Sequence, residues 1–141
     1  MRTIKFRAKV KMPEKRNFAR QEYLPEGQWV YGEPHTIDCP TPHIHTADVG
    51  KQPIDKETIC QFTGIKDGNG TEIFEGDIIE VTLRHNNTIV STYNAIVDQK
   101  EGAFGFKNKQ GFCPFYGQIH ENYKVIGNIH DNPELMEGGA Q

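Results

Sequence analysis

His35, Asp38, Cys39, His43 and His45 fall within eleven consecutive residues. Imidazole, thiolate and carboxylate are the groups that hold Zn²⁺. The segment also carries Pro34, Pro40 and Pro42, and it lacks the Cys-x-x-Cys and His-x₃-His spacings of structural zinc sites. It therefore reads as a proline-rich loop with exposed histidines and no resident metal. Were a metal held there, His35, Cys39, His43 and His45 would be its ligands, with His43 and His45 the primary pair.

Glu75 and Asp77 stand two residues apart, which on an extended strand places both carboxylates on one face, as an acid and base pair would require. An Asp that follows Gly at a strand entrance is more simply a turn cap, and that is the reading taken. Asp67, Asn69 and Thr71 alternate as in a calcium loop, but Glu72 occupies the position that needs Gly and Ile78 the one that needs Glu. Calcium is excluded. Ser91 is the sole serine and has no Gly-x-Ser-x-Gly setting, and no phosphate-cradling glycine motif occurs. ATP, NAD and serine-hydrolase chemistry are not expected, and neither is any cofactor. Tyr93, Phe104, Phe106, Phe112, Phe115 and Tyr116 could stack bases. Alternating Phe on a strand is better read as core, and only Lys100, Lys107 and Lys109 lie nearby, against Asp98 and Glu101. Cys60 and Cys113 sit in strand-like runs as small hydrophobes.

Charge is unevenly spread. Residues 1–20 hold eight Lys and Arg against Glu14 alone, whereas residues 21–141 hold eight against eighteen Asp and Glu. Lys5, Arg7, Lys9 and Lys11 form one stripe if they face outward from the first strand. Such a stripe suits phosphates or an acidic protein surface, its own or a neighbouring subunit's, and the second use ranks first because no aromatic or glycine-rich motif accompanies it.

The elements that would position these groups are strands. Ile4, Phe6, Ala8 and Val10 alternate with the cations, the two-residue period of a half-buried strand. Residues 12–27 read as a connection, Gln28–Gly32 as a second strand around the only Trp, and residues 33–50 as loop or edge because of their prolines. Thr58–Thr63 is a strand, and Asp67–Gly70 a turn. Ile78–Leu83 follows, with Ile79, Val81 and Leu83 on one face, and then His85–Asn87 as a reversal. Thr88–Val97, Ala103–Phe106, Phe112–Tyr116 and Tyr123–Ile129 complete a meander, with Gly127 as a bulge or close approach and Pro133 opening at most a helical turn. The fold class is mainly β: a small antiparallel barrel or roll with an N-terminal β extension. One domain spans 1–141, an N-terminal β portion with variable loops over 1–52 and a barrel portion over 53–141. Three separated cysteines and a mean hydropathy of −0.67 suit a reduced cytoplasm. No apolar run approaches a membrane span, and no secretion leader is read.

Three stretches, MRTIKFRAK at the start, QFTGIKDGNGTEIFEGDIIEV in the centre and YKVIGNIHDNPEL at the end, resemble the YopX family of phage and prophage proteins. QWVYG at 28–32 resembles that family's early aromatic strand. The resemblance implies a barrel roll of the Src-homology kind, a bacterial host cytoplasm and no established activity. Gly64, Asp67, Gly70, Gly76, Asp77, Gly127, Asn128 and Pro133 are its motif residues, and each has a folding role. The expectation is a non-enzymatic protein that self-assembles, as a homo-oligomer, or binds a host or phage protein. A nucleic-acid module using the basic arm ranks second, and a metal-dependent enzyme at the His/Cys-rich loop third.

Overall fold

A computed structural model describes residues 5–12, 23–35, 42–115 and 122–136. Among them the regular structure is strand, in open antiparallel sheets, with 3-10 turns at Lys56–Thr58 and Pro133–Leu135. The mainly β class is therefore what the chain adopts. The sheets do not close into a barrel. The chain divides into two compact units, Thr3–Gln61 and Phe62–Gln141.

The first unit is built on β1 (Phe6–Lys9), β2 (Trp29–His35), β3 (His43–Thr46) and β4 (Gly50–Pro53). They pair in the order β4-β3-β2-β1, and the start of β5 (Cys60–Lys66) joins β1 through Cys60 and Gln61. Alternation works as the sequence indicates, for Ala8, Val10, Val30, Ile44 and Ile54 form a core on one face. The segment 33–50, expected as loop or edge, instead supplies the end of β2, all of β3 and the start of β4. Proline is tolerated for a local reason. β1 accompanies β2 only as far as Gly32, so Pro34 has a strand on one side alone, and Pro53 lies on edge strand β4. A Cβ at Gly32 would overlap the His45 carbonyl oxygen, so only glycine lets β2 and β3 approach there. Gln52 is 1% exposed, and its amide is used in full view of the core: Oε1 accepts from Leu24 N at 2.9 Å and Nε2 donates to the Val49 carbonyl at 3.1 Å.

The second unit contains the rest of β5 with β6 (Glu72–Phe74), and a sheet of β7 (Asp77–His85), β8 (Thr88–Lys100), β9 (Ala103–Asn108), β10 (Gly111–Pro114) and β11 (Tyr123–Asn128). The order is β10-β9-β8-β7-β11. Asn86 and Asn87 take φ of 50° and 65°, which gives the β7–β8 hairpin the left-handed turn its strand twist favours. Ile73, Ile79, Val81, Ala95, Val97 and Phe106 form the core. The sheet curls strongly. Phe106 on β9 and Tyr123 on β11 do not belong to neighbouring strands, yet their ring centroids lie 5.7 Å apart. The roll is thus closed by side chains over its interior while the backbone ladder stays open. Leu83, expected inward with Ile79 and Val81, is 44% exposed, because it lies past the Val81–Tyr123 pair where β11 begins.

Candidate functional site

The motif residues of the second unit serve its architecture. Asp67 is 4% exposed, and its Oδ1 accepts from the backbone of Asn69 at 2.8 Å and Thr71 at 2.9 Å. Its Oδ2 accepts from Val125 N at 2.9 Å, while Gly68 N donates to the Tyr123 carbonyl at 3.1 Å. One buried carboxylate therefore shapes the turn and fastens it along the outer edge of β11. Charge-assisted bonds of this kind are stronger than neutral ones. Asp77 is 1% exposed and accepts from Phe74 N at 2.8 Å, the role of a turn cap. Glu75 lies in the turn before it, so the two carboxylates do not share a strand face.

Gly64, Gly70 and Gly76 have φ of 92°, 83° and 86°. At Gly76 this matters doubly, since its N–H donates to Val97 and its carbonyl accepts from Ile129, each at 2.9 Å. Gly127 sits at a register shift in β11, and the space for a Cβ is taken by the Asn132 and Leu135 side chains. Asn128 Oδ1 accepts from His130 N at 3.0 Å and Asp131 N at 2.9 Å, and Pro133 opens the short turn that follows. The aromatic platform is interior: Phe104 and Phe106 are buried, and Tyr93, Phe115 and Tyr123 pack on Phe106. Burial, aided by Cys113, pushes the Tyr93 and Tyr123 phenols above their usual pKa. Tyr116 lies outside the described residues. Cys60 is buried, as expected of a small hydrophobe, and Cys113 is half-buried.

The first unit presents a different arrangement. Its core face is apolar, so register puts the polar residues of four strands together on the other face. Lys9 stands opposite Trp29 and Arg7 opposite Tyr31. His45 stands between Glu33 and Lys51, and His43 between His35 and Pro53. The sequence places Arg7 on an outward-facing stripe with Lys5, Lys9 and Lys11, suited to an acidic protein surface or to phosphates. It is only 7% exposed, with its guanidinium carbon 4.5 Å from the Trp29 ring centroid and the Lys9 ammonium at 5.5 Å. An aromatic neighbour on β2 has drawn it down, as cation–π attraction favours. Lys5 is half-buried and Lys11 exposed.

The histidines meet on this face. The His35 and His45 rings have centroids 4.1 Å apart, and His43 is held below its usual pKa by burial, with the charges of Lys51 and His45 adding to it. Cys39 and Asp38 lie outside the described residues. Among the described residues no group of three His, Cys, Asp or Glu is arranged to hold a metal ion. Two features escaped the sequence reading. One is the joining of Trp29, Tyr31 and three histidines across strands, for which only the two-residue spacing of QWVYGEPH and HIH gave a signal. The other is the exposure of the β7–β8 tip.

The family described as YopX protein matches residues 5–137. The chain belongs to the YopX family. No curated protein matches it. Among solved structures, the crystal structure of protein EF1440 from Enterococcus faecalis is 26% identical over 97% of this chain and 100% of that chain, with a TM-score of 0.49. No helix among the described residues of this YopX-family chain is long and apolar enough to cross a membrane.

Proposed function

We propose that this YopX-family protein is a phage- or prophage-encoded, non-enzymatic protein of the bacterial cytoplasm that works by association, its first partner being a second copy of itself. The observation that carries the reading is the edge of β8 over Thr88–Tyr93, which no strand among the described residues pairs on its second side. From Leu83 to Thr92 every residue of the β7–β8 hairpin is exposed, including Ile89 at 56% and Val90 at 61%. Among the described residues β8 meets β9 only from Ile96 onward, so Thr88–Tyr93 pairs with β7 alone. Edges of this kind are normally guarded by charge, proline or brevity. This one has none of those guards, since Thr88–Val97 contains no charged residue and no proline.

A two-fold, antiparallel pairing of β8 with β8 of a second copy satisfies the edge and brings no like charges together. The assignment of Asp67 and Asp77 to backbone bonds supports a non-enzymatic role. Light scattering tests the reading. The wild type is expected at about twice 16.0 kDa at micromolar concentration, and Ile89→Lys with Ser91→Lys at the single-chain mass with unchanged circular dichroism. A wild type that stays at one chain up to ~100 μM overturns it, since Kd values weaker than this leave little pairing energy.

A further inference from the structure

We propose that Asn69–Gly70 is a self-modification site: the Gly70 backbone nitrogen attacks the Asn69 side-chain amide, and the isoaspartate that results loosens the 67–70 turn from β11. Asparagine is a chemically labile residue, and its neighbours decide where the lability is expressed. Gly70 follows Asn69 and has no Cβ to obstruct the approach of its nitrogen to the preceding side chain. Gly68, Asn69 and Gly70 are exposed, and nothing lies within 4 Å of the place a Cβ at Gly70 would take. Among the described residues no hydrogen bond holds the Asn69 side chain; only its backbone N–H is bonded, to Asp67 Oδ1 at 2.8 Å. Every other asparagine among the described residues has a bonded side chain or a bulkier successor. Asn86 and Asn87, also exposed, precede Asn and Thr, whose side chains crowd the attacking nitrogen.

The step needs no reagent other than water. Gly70 N gives its proton to solvent and forms a bond to Asn69 Cγ. The Cγ–Nδ2 bond breaks, and Nδ2 leaves as ammonia with a proton taken from solvent. The cyclic succinimide then adds water at one of its two carbonyls. Breaking the new Cγ–N bond gives aspartate, whereas breaking the original peptide bond leaves the chain running through Cγ as isoaspartate. Base speeds the step, because the deprotonated amide is the attacking form.

Asp67 governs both the rate and the consequence. Its carbonyl accepts from Gly70 N at 3.0 Å, so attack waits on the opening of that bond, a local event of low cost at an exposed turn. Its carboxylate accepts from Asn69 N and Thr71 N through Oδ1 and from Val125 N through Oδ2. Isoaspartate adds one backbone carbon between Asn69 N and Thr71 N, so Oδ1 no longer reaches both donors in the present geometry. The carboxylate is then released from its fixed position, and the hold of Oδ2 on Val125 slackens. β11 is the last strand of its sheet, and a last strand that loses its cover is open to pairing with another chain. The modification therefore converts a fastened edge into an open one.

The test incubates the intact protein at pH 6.0 and pH 8.5, maps its peptides by mass spectrometry and follows hydrogen exchange at the Val125 N–H by NMR. The peptide that contains Asn69 is expected to rise by the mass difference between O and NH, faster at pH 8.5, and to separate into two products with isoaspartate in excess. In the converted protein Val125 N–H should exchange about tenfold faster, the effect of losing one charge-assisted bond. Asn69→Ser should show neither change. Asn69→Asp, which carries the new charge on an ordinary backbone, should keep the slow exchange at Val125. The proposal is overturned if the folded protein keeps Asn69 intact over a period that converts most of it in urea, or if Asn86 or Asn87 converts first. Isoaspartate formation that leaves Val125 exchange unchanged overturns it as well, and so does exchange in Asn69→Asp as fast as in the converted protein.

Discussion

The two units use polar residues in opposite ways. In the second, Asp67, Asp77 and Asn128 are buried and bonded to backbone N–H groups, so their chemistry is consumed in making turns. In the first, among the described residues, the imidazoles together with Lys9 and Lys51 stand on a sheet face whose other side holds the core. Charge follows the same division. Residues 1–61 carry ten Lys and Arg against eight Asp and Glu, and residues 62–141 carry six against eleven. The difference teaches that a carboxylate in a recurrent motif is weak evidence of catalysis when turn backbone lies within its reach. Among the described residues of 29–51, the imidazoles of His35, His43 and His45 stand on a sheet face instead of capping turns.

The comparison breaks first at Asp67. Asp67→Ala strands three backbone donors, two of the turn and one of β11, and should cost about 2–4 kcal/mol in urea unfolding, given the penalty for each buried unsatisfied group. A cost under ~1 kcal/mol would remove the carboxylate from its structural role. Gly76→Ala should follow at about 1–2 kcal/mol, from the positive φ, with a smaller loss for Gly127→Ala, where side chains rather than backbone must give way. Reversal of that order would show that crowding at β11 outweighs backbone strain.

For the first unit the expected effects are small. His43→Ala together with His45→Ala should change stability by less than ~1 kcal/mol and leave the protein without stoichiometric zinc by elemental analysis. One zinc per chain, or unfolding on chelation, would overturn the contrast by giving the histidines a structural duty. The smallest effect is a pH dependence. His43 titrates lower folded than unfolded, so the unfolded chain binds more protons below about pH 6.5, and stability falls as pH drops from there. That slope should diminish in His43→Gln, measured by urea midpoints at pH 5.5 and 7.5. In the second unit the matching readout is ultraviolet titration. Tyr93 and Tyr123 should ionise above the usual phenol range, since burial raises both.

Much of this protein is written locally. Alternation in Phe6–Val10 and in Ile79–Val81, the two asparagines at 86–87 and the glycine-rich turn at 67–70 specify strands and reversals through the two-residue period and left-handed φ, which depend on nearby residues only. The roles of Asp77 and Asn128 were legible for the same reason, because caps bond to backbone a few positions away. The rest required tertiary contacts. Whether residues 33–50 form strands depends on which neighbour lies beside each proline, and β1 ends in time to spare Pro34. Arg7 could be placed only once Trp29 stood beside it, across a separation in sequence that alternation does not span. The exposure of Leu83, Ile89 and Val90 follows from where β9 and β11 stop, a matter of sheet closure that no composition of the β7–β8 hairpin encodes.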